Sequence, residues 1–172
     1  MKNLAPKTRK QDNMDTSQNR SMSSNNEVFI VHGRDDTYKH IAARVLEKLG
    51  LQPIILHEQH NAGRTIIEKF EDHSSSTYAI IILTPDDKGG LANDKQLLPR
   101  ARQNVIFELG YFIGKLTRNR VCALYKEGVE LPSDLGGVLF IPLDDGGAWK
   151  FKLAQELKAT GLDIDLNKVV QI

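Results

Sequence analysis

From residue 28 onward the chain alternates short apolar runs with amphipathic stretches. Val28 to Val31 is a compact apolar run that closes on His32-Gly33, and apolar positions at helical spacing follow in Ile41, Val45, Leu46 and Leu49, ended by Gly50. The unit recurs as a strand over Pro53–Leu56 with a helix over Thr65–Phe70, then a strand over Tyr78–Leu83 with a helix inside Pro99–Leu116. A strand at Val121–Leu124 and another at Val138–Ile141 follow, the last leading into a helix that carries Trp149, Leu153 and Leu157. Strands that are apolar at every position are covered on both faces, and amphipathic helices between them supply the cover. The expected fold is therefore α/β: a five-stranded, flavodoxin-like, doubly wound parallel sheet in a three-layer α/β/α arrangement.

Residues 1–26 break this pattern. They are rich in Ser, Asn, Gln, Lys and Arg and lack apolar periodicity, so they read as a polar, disordered tail before one domain over 27–165, with 166–172 as a C-terminal tail. A length of 172 residues, 40% of them hydrophobic, suffices for one domain with a sizeable core. A net charge of +1, from dispersed Lys and Arg, gives no field to draw in a nucleic acid or a membrane surface. The single cysteine, Cys122, falls inside an apolar strand and reads as a small core residue. The sequence shows neither an apolar run of membrane-span length nor a secretion signal, so a cytoplasmic location is expected.

In a doubly wound sheet, ligands bind beyond the carboxyl ends of the strands, at the switch point beside the first one. That rule singles out His32-Gly-Arg-Asp-Asp36, His57 to Arg64, and the loop from Thr84-Pro-Asp-Asp through Gly89-Gly90 to Pro99. Gly33 allows a tight turn or close backbone approach, and Asp35 or Asp36 can cap the next helix or face a ligand. Arg34 offers a guanidinium suited to bidentate phosphate contact. Thr84, Asp86, Asp87, Arg102 and Asn104 border the same cleft by topology. His32 and His57 end strands without any ligand spacing, so no metal site is expected.

The helix inside Pro99–Leu116 places Val105, Leu109, Phe112 and Leu116 in one narrow stripe, with Glu108 on its flank and Asn104 one turn earlier. A carboxylate at the edge of an apolar seam either contacts a substrate or lays its stem on the seam and its head in water. Phe107 points the opposite way, flanked by Ile106 and Tyr111, where a helix covering a sheet should be polar. That second apolar face is to be covered by the Asp86 to Pro99 loop or by another subunit.

Four blocks resemble the bacterial TIR-like nucleotide-binding family found in anti-phage effectors gated by cyclic nucleotides. They are Val-Phe-Ile-Val-His-Gly-Arg-Asp-Asp (28–36), Ile-Ile-Leu-Thr-Pro-Asp-Asp (81–87), Arg-Ala-Arg-Gln-Asn-Val-Ile-Phe-Glu-Leu-Gly-Tyr-Phe (100–112) and Leu-Pro-Ser-Asp-Leu-Gly-Gly-Val (131–138). The resemblance implies an NAD⁺ nucleosidase that cleaves the nicotinamide–ribose bond to give linear or cyclic ADP-ribose, with Glu108 as the catalytic carboxylate. NAD⁺ is then the substrate and no separate cofactor is implied. It also implies self-association on activation, driven by a sensor in a separate domain or chain.

Three other protein classes share parts of this pattern. A receiver domain needs an Asp at the end of the third strand and a Lys at the end of the fifth, where this chain has Thr84 and Ile141-Pro142. A nucleoside deoxyribosyltransferase-like enzyme shares the glycosidic chemistry but not the Arg-Gln-Asn-Val block. A non-catalytic TIR-like module that binds a nucleotide and signals by self-association is the alternative from a different class.

Overall fold

The computed structural model describes residues 26–56, 68, 71, 73 and 76–171. Among them, five strands form one parallel sheet: β1 (Glu27–Val31), β2 (Gln52–Ile55), β3 (Tyr78–Leu83), β6 (Val121–Tyr125) and β7 (Leu139–Pro142). Their order is β2-β1-β3-β6-β7, so the winding reverses between β1 and β3. The expected doubly wound sheet is present, with strand limits shifted by about one residue.

Alternate residues serve opposite faces. Across the sheet Ile30 registers with Ile55 and Ile80, Ile80 with Cys122, and Cys122 with Leu139. All of these pack in the cluster under helix α1 (Thr37–Lys48) and helix α3 (Ala148–Ala159). The intervening row, Phe29, Ala79 and Val121, packs under helix α2 (Gln103–Leu116) on the other side. Two buried faces explain why these strands lack polar alternation. Cys122 is fully buried, and burial pushes its thiol pKa well up, as befits a core residue.

Local sequence sets the helix ends. Gly50, at φ +84°, follows α1; its N–H donates to Glu47 O and the Leu51 N–H to Leu46 O, closing a Schellman turn that favours glycine at that position. At the start of α3, the Asp144 carboxylate accepts the N–H groups of Ala148 and Trp149, each at 2.9 Å.

The segment from Thr84 to Pro99, read as one long loop, instead contains a small antiparallel hairpin of β4 (Asp87–Gly89) and β5 (Leu98–Arg100). Asp87 registers with Arg100, opposite charges across the pair, and the Arg100 guanidinium lies where a Cβ on Gly89 would stand. Past residue 165 the chain does not trail off: a 3-10 helix, Leu166–Gln171, places Val169 in the core beside α3. The expected loop His57 to Arg64 and the helix Thr65–Phe70 lie outside the described residues apart from Glu68, which is helical, as does the tail up to residue 25.

Candidate functional site

The carboxyl ends of β1 and β3 lie side by side at the winding reversal, and a single carboxylate ties them together. Asp86 Oδ2 accepts the Arg34 backbone N–H at 2.9 Å, and Asp86 Oδ1 accepts the Thr84 hydroxyl at 3.0 Å. Thr84 is 1% exposed, which makes this bond part of the sheet's buried end. Gly33 lies directly beneath Asp86: a Cβ there would overlap Asp86 Oδ2. Of the two reasons offered for a glycine at this position, close approach is the operative one, because Gly33 is absent from the positive-φ glycines. Gly33, Arg34, Thr84 and Asp86 are thus brought together, with the Arg34 side chain exposed.

The two acidic residues of the first loop have structural partners. Asp35 Oδ1 accepts the Thr37 N–H at 2.9 Å, which opens α1. Asp36 pairs at 2.8 Å with the ammonium of Lys39, and this hydrogen bond holds the Asp36 carboxyl below its usual range. Lys39 is 6% exposed and was not singled out from the sequence. Its spacing from Ala42, Ala43 and Leu46 is the signal, since it shares their sheet-facing side of α1. Buried His32 places Nδ1 3.8 Å from Asp36 Oδ1.

Asp87 turns into the hairpin opposite Arg100. Arg102 is the N-cap residue of α2 by backbone geometry, and Asn104 is exposed in the first turn. Among the described residues no hydrogen bond joins Asp87, Arg102 or Asn104 to the Arg34 loop. Glu108 is 9% exposed and shares the buried face of α2 with Val105, Leu109 and Phe112. The helix runs back from the carboxyl end of the sheet, so Glu108, five residues past Gln103, lies about 7.5 Å along it.

On the opposite flank of α2 is a cavity of about 470 Å³ lined by residues including Arg100, Gln103, Ile106, Glu130 and Leu131. At its edge the Arg100 guanidinium donates two hydrogen bonds to Glu130 Oε2, at 2.6 and 3.1 Å. Helical geometry at about 100° per residue puts Ile106 and Glu108 some 160° apart, so this cavity and the Glu108 face are different surfaces. The Arg100–Glu130 pair was not legible from sequence because it depends on the pairing of Arg100 with a bridge residue 30 positions on.

Phe107 is 63% exposed, and Leu91 in the hairpin's connecting loop is 78% exposed. The Asp86 to Pro99 segment therefore leaves Phe107 open, while Ile106 and Tyr111 to either side of it are half-buried against the core cluster. Among the described residues there is no cluster suited to a metal ion and no helix long and apolar enough to cross a membrane.

A doubly wound parallel sheet, with loops stapled at its switch point and a buried glutamate in the helix that follows them, defines a flavodoxin-like α/β domain with its candidate site beyond the strand ends. The family model described as "CAP12/Pycsar effector protein, TIR domain" matches residues 27–145, and the chain belongs to that family. It is 47% identical over 144 residues to the uncharacterized protein YuaY of Escherichia coli (strain K12), a match covering 83% of this chain and 48% of YuaY. It is 38% identical over 133 residues to protein tirC of Dictyostelium discoideum, covering 69% of this chain and 66% of that protein. The Pycsar effector protein PaPycTIR of Pseudomonas aeruginosa is 40% identical over 83 residues, 46% of this chain and 26% of the relative. The chain thus spans about half the length of YuaY and about a quarter of PaPycTIR.

Proposed function

We propose that this domain cleaves NAD⁺ at the bond between nicotinamide and ribose, with Glu108 as the catalytic carboxylate, as an effector of bacterial anti-phage defence. The observation that carries the reading is a carboxylate 9% exposed on an otherwise apolar helix face, in the block that resembles the family's catalytic helix. Glutamates are seldom this buried, and carboxylates held in such environments concentrate at functional sites, which makes Glu108 a functional candidate on physical grounds.

The chemistry is compatible with one carboxylate. Glycosidases usually need a second carboxyl to protonate an alkoxide leaving group. In NAD⁺ the pyridinium is already cationic, so the C–N bond pair departs with nicotinamide as a neutral molecule. The enzyme's tasks are to orient the ribose and stabilise the developing oxocarbenium cation. Water then completes ADP-ribose with loss of a proton, or an adenine nitrogen closes the cyclic product. Arg34 would hold the pyrophosphate through its exposed guanidinium.

Activation by self-association is part of this reading. The outward side of α2 carries exposed Phe107, and beyond the chain neighbours and the helix's own backbone no described atom lies within 4 Å of a Cβ built on Gly110 or Gly114. A second copy covering that face would bury the ring. A sensor in a separate domain or chain would drive that assembly, and the partial coverage of PaPycTIR leaves room for such a part in the relative.

Glu108→Gln tests the assignment, because it removes the charge at nearly constant volume. Nicotinamide release is measured with wild type and variant under conditions that force assembly. The variant is expected to keep its far-ultraviolet circular dichroism and lose turnover; a folded variant with wild-type turnover refutes the assignment.

A further inference from the structure

We propose that Asp86 is a positioning residue: it acts on the substrate through Arg34, by fixing the backbone of the loop after β1, and does not itself contact the nucleotide. This deepens, and rests on, the NAD⁺ reading above.

The geometry assigns both of its oxygens. Oδ2 accepts the Arg34 N–H at 2.9 Å and Oδ1 the Thr84 hydroxyl at 3.0 Å, so the carboxylate spans the carboxyl ends of β1 and β3. Thr84 is 1% exposed and follows directly on a fully buried strand, which makes it a rigid anchor. The Arg34 side chain is exposed, and its N–H is held to a residue 52 positions away. A long cation on a free loop would lose backbone as well as side-chain freedom when it took up a phosphate. Held by Asp86, the loop has surrendered the backbone part on folding.

Gly33 completes the device. Asp86 reaches the Arg34 N–H only because position 33 has no Cβ, for that atom would overlap Asp86 Oδ2. The backbone at Gly33 does not need glycine on conformational grounds, since its φ is outside the positive range. Alanine there conflicts with the Asp86 side chain, which supplies all three of the heavy atoms nearest to its Cβ. Charge argues in the same direction. A carboxylate facing a pyrophosphate directly would repel it.

Kinetics of NAD⁺ cleavage by the assembled full chain, together with amide exchange at Arg34, provide the test. Asp86→Ala is expected to raise KM about tenfold with a smaller change in kcat, the scale of losing one charge-assisted hydrogen bond. Asp86→Asn, which retains an acceptor oxygen, recovers most of that loss. Gly33→Ala reproduces the Asp86→Ala defect and adds little to it in the double variant. In an Arg34→Ala background, Asp86→Ala has little further effect on KM. The Arg34 amide exchanges faster in Asp86→Ala while the Val31 amide does not.

A wild-type protein that neither binds nor cleaves NAD⁺ overturns the parent reading and this role with it. A wild type that cleaves NAD⁺, with KM unchanged in Asp86→Ala, overturns the positioning role alone. Effects of Asp86→Ala and Arg34→Ala that simply multiply would also overturn it, because they would show Asp86 acting independently of Arg34.

Discussion

The Phe29 ring meets the Phe112 ring at 5.1 Å between centroids, inclined by 43°. Both side chains are fully buried, one at the centre of β1 and the other on α2, one turn beyond Glu108. This contact fixes the helix that carries the candidate carboxylate to the first strand, whose end carries the Arg34 loop.

Truncating that contact should be severe. Phe112→Ala removes an aromatic ring from the closed side of the sheet, and such changes cost about 3–5 kcal/mol. Urea unfolding followed by circular dichroism is expected to show that loss as a lower midpoint at an unchanged slope. A shift worth under about 1 kcal/mol would mean that α2 is held elsewhere.

Arg34→Ala separates recognition from stability. The side chain is exposed, so melting should be nearly unchanged. A charge-assisted hydrogen bond is worth about 1.5–3 kcal/mol, which predicts NAD⁺ binding weakened by about tenfold or more. Calorimetric titration with the Glu108→Gln protein and its Arg34→Ala derivative measures this, and equal affinities would return Arg34 to the status of a surface residue.

Phe107 tests assembly. With the ring 63% exposed, Phe107→Asp should leave a stable fold. If a second copy covers that face, the charge prevents it, and specific activity falls most at low protein concentration. Sedimentation velocity of both proteins alongside the NAD⁺ assay decides the point; unchanged assembly and activity would exclude this face as the interface.

Asp144 predicts a pH dependence. The Ala148 N–H, and after it the Trp149 N–H, lower its pKa from the ordinary 3.8 by favouring the ionised form. A folded-state pKa below the unfolded one contributes stability that is present above the unfolded value and lost as pH falls through the folded one. Asp144→Ala should therefore melt earlier than wild type at pH 7, and the gap between them should narrow as pH is lowered below 3.8. Paired thermal melts across pH 2–7 check the sign; a gap that widens in acid would contradict it.

The sequence by itself determined the sheet, because burial on both faces demands continuous apolar strands and tolerates no polar alternation. Runs such as Tyr78 to Leu83, buried at all six positions, carry that demand in local composition. It also determined that Glu108 flanks the seam of its helix, since 3.6-residue periodicity is a property of the segment alone. The loops were a different matter. Asp35 and Asp36 look alike in sequence, yet one opens α1 and the other pairs with buried Lys39. Asp86 and Asp87 are neighbours, yet one staples two loops and the other enters a hairpin. Asp35 and Asp36 are sorted by which local donor the turn into α1 brings within about 3 Å, the Thr37 N–H or the Lys39 ammonium, and Asp86 by a group 52 positions away, the Arg34 N–H. The openness of Phe107 was likewise decided in three dimensions, because residues 84–100 pair with themselves as β4 and β5 instead of lying across α2.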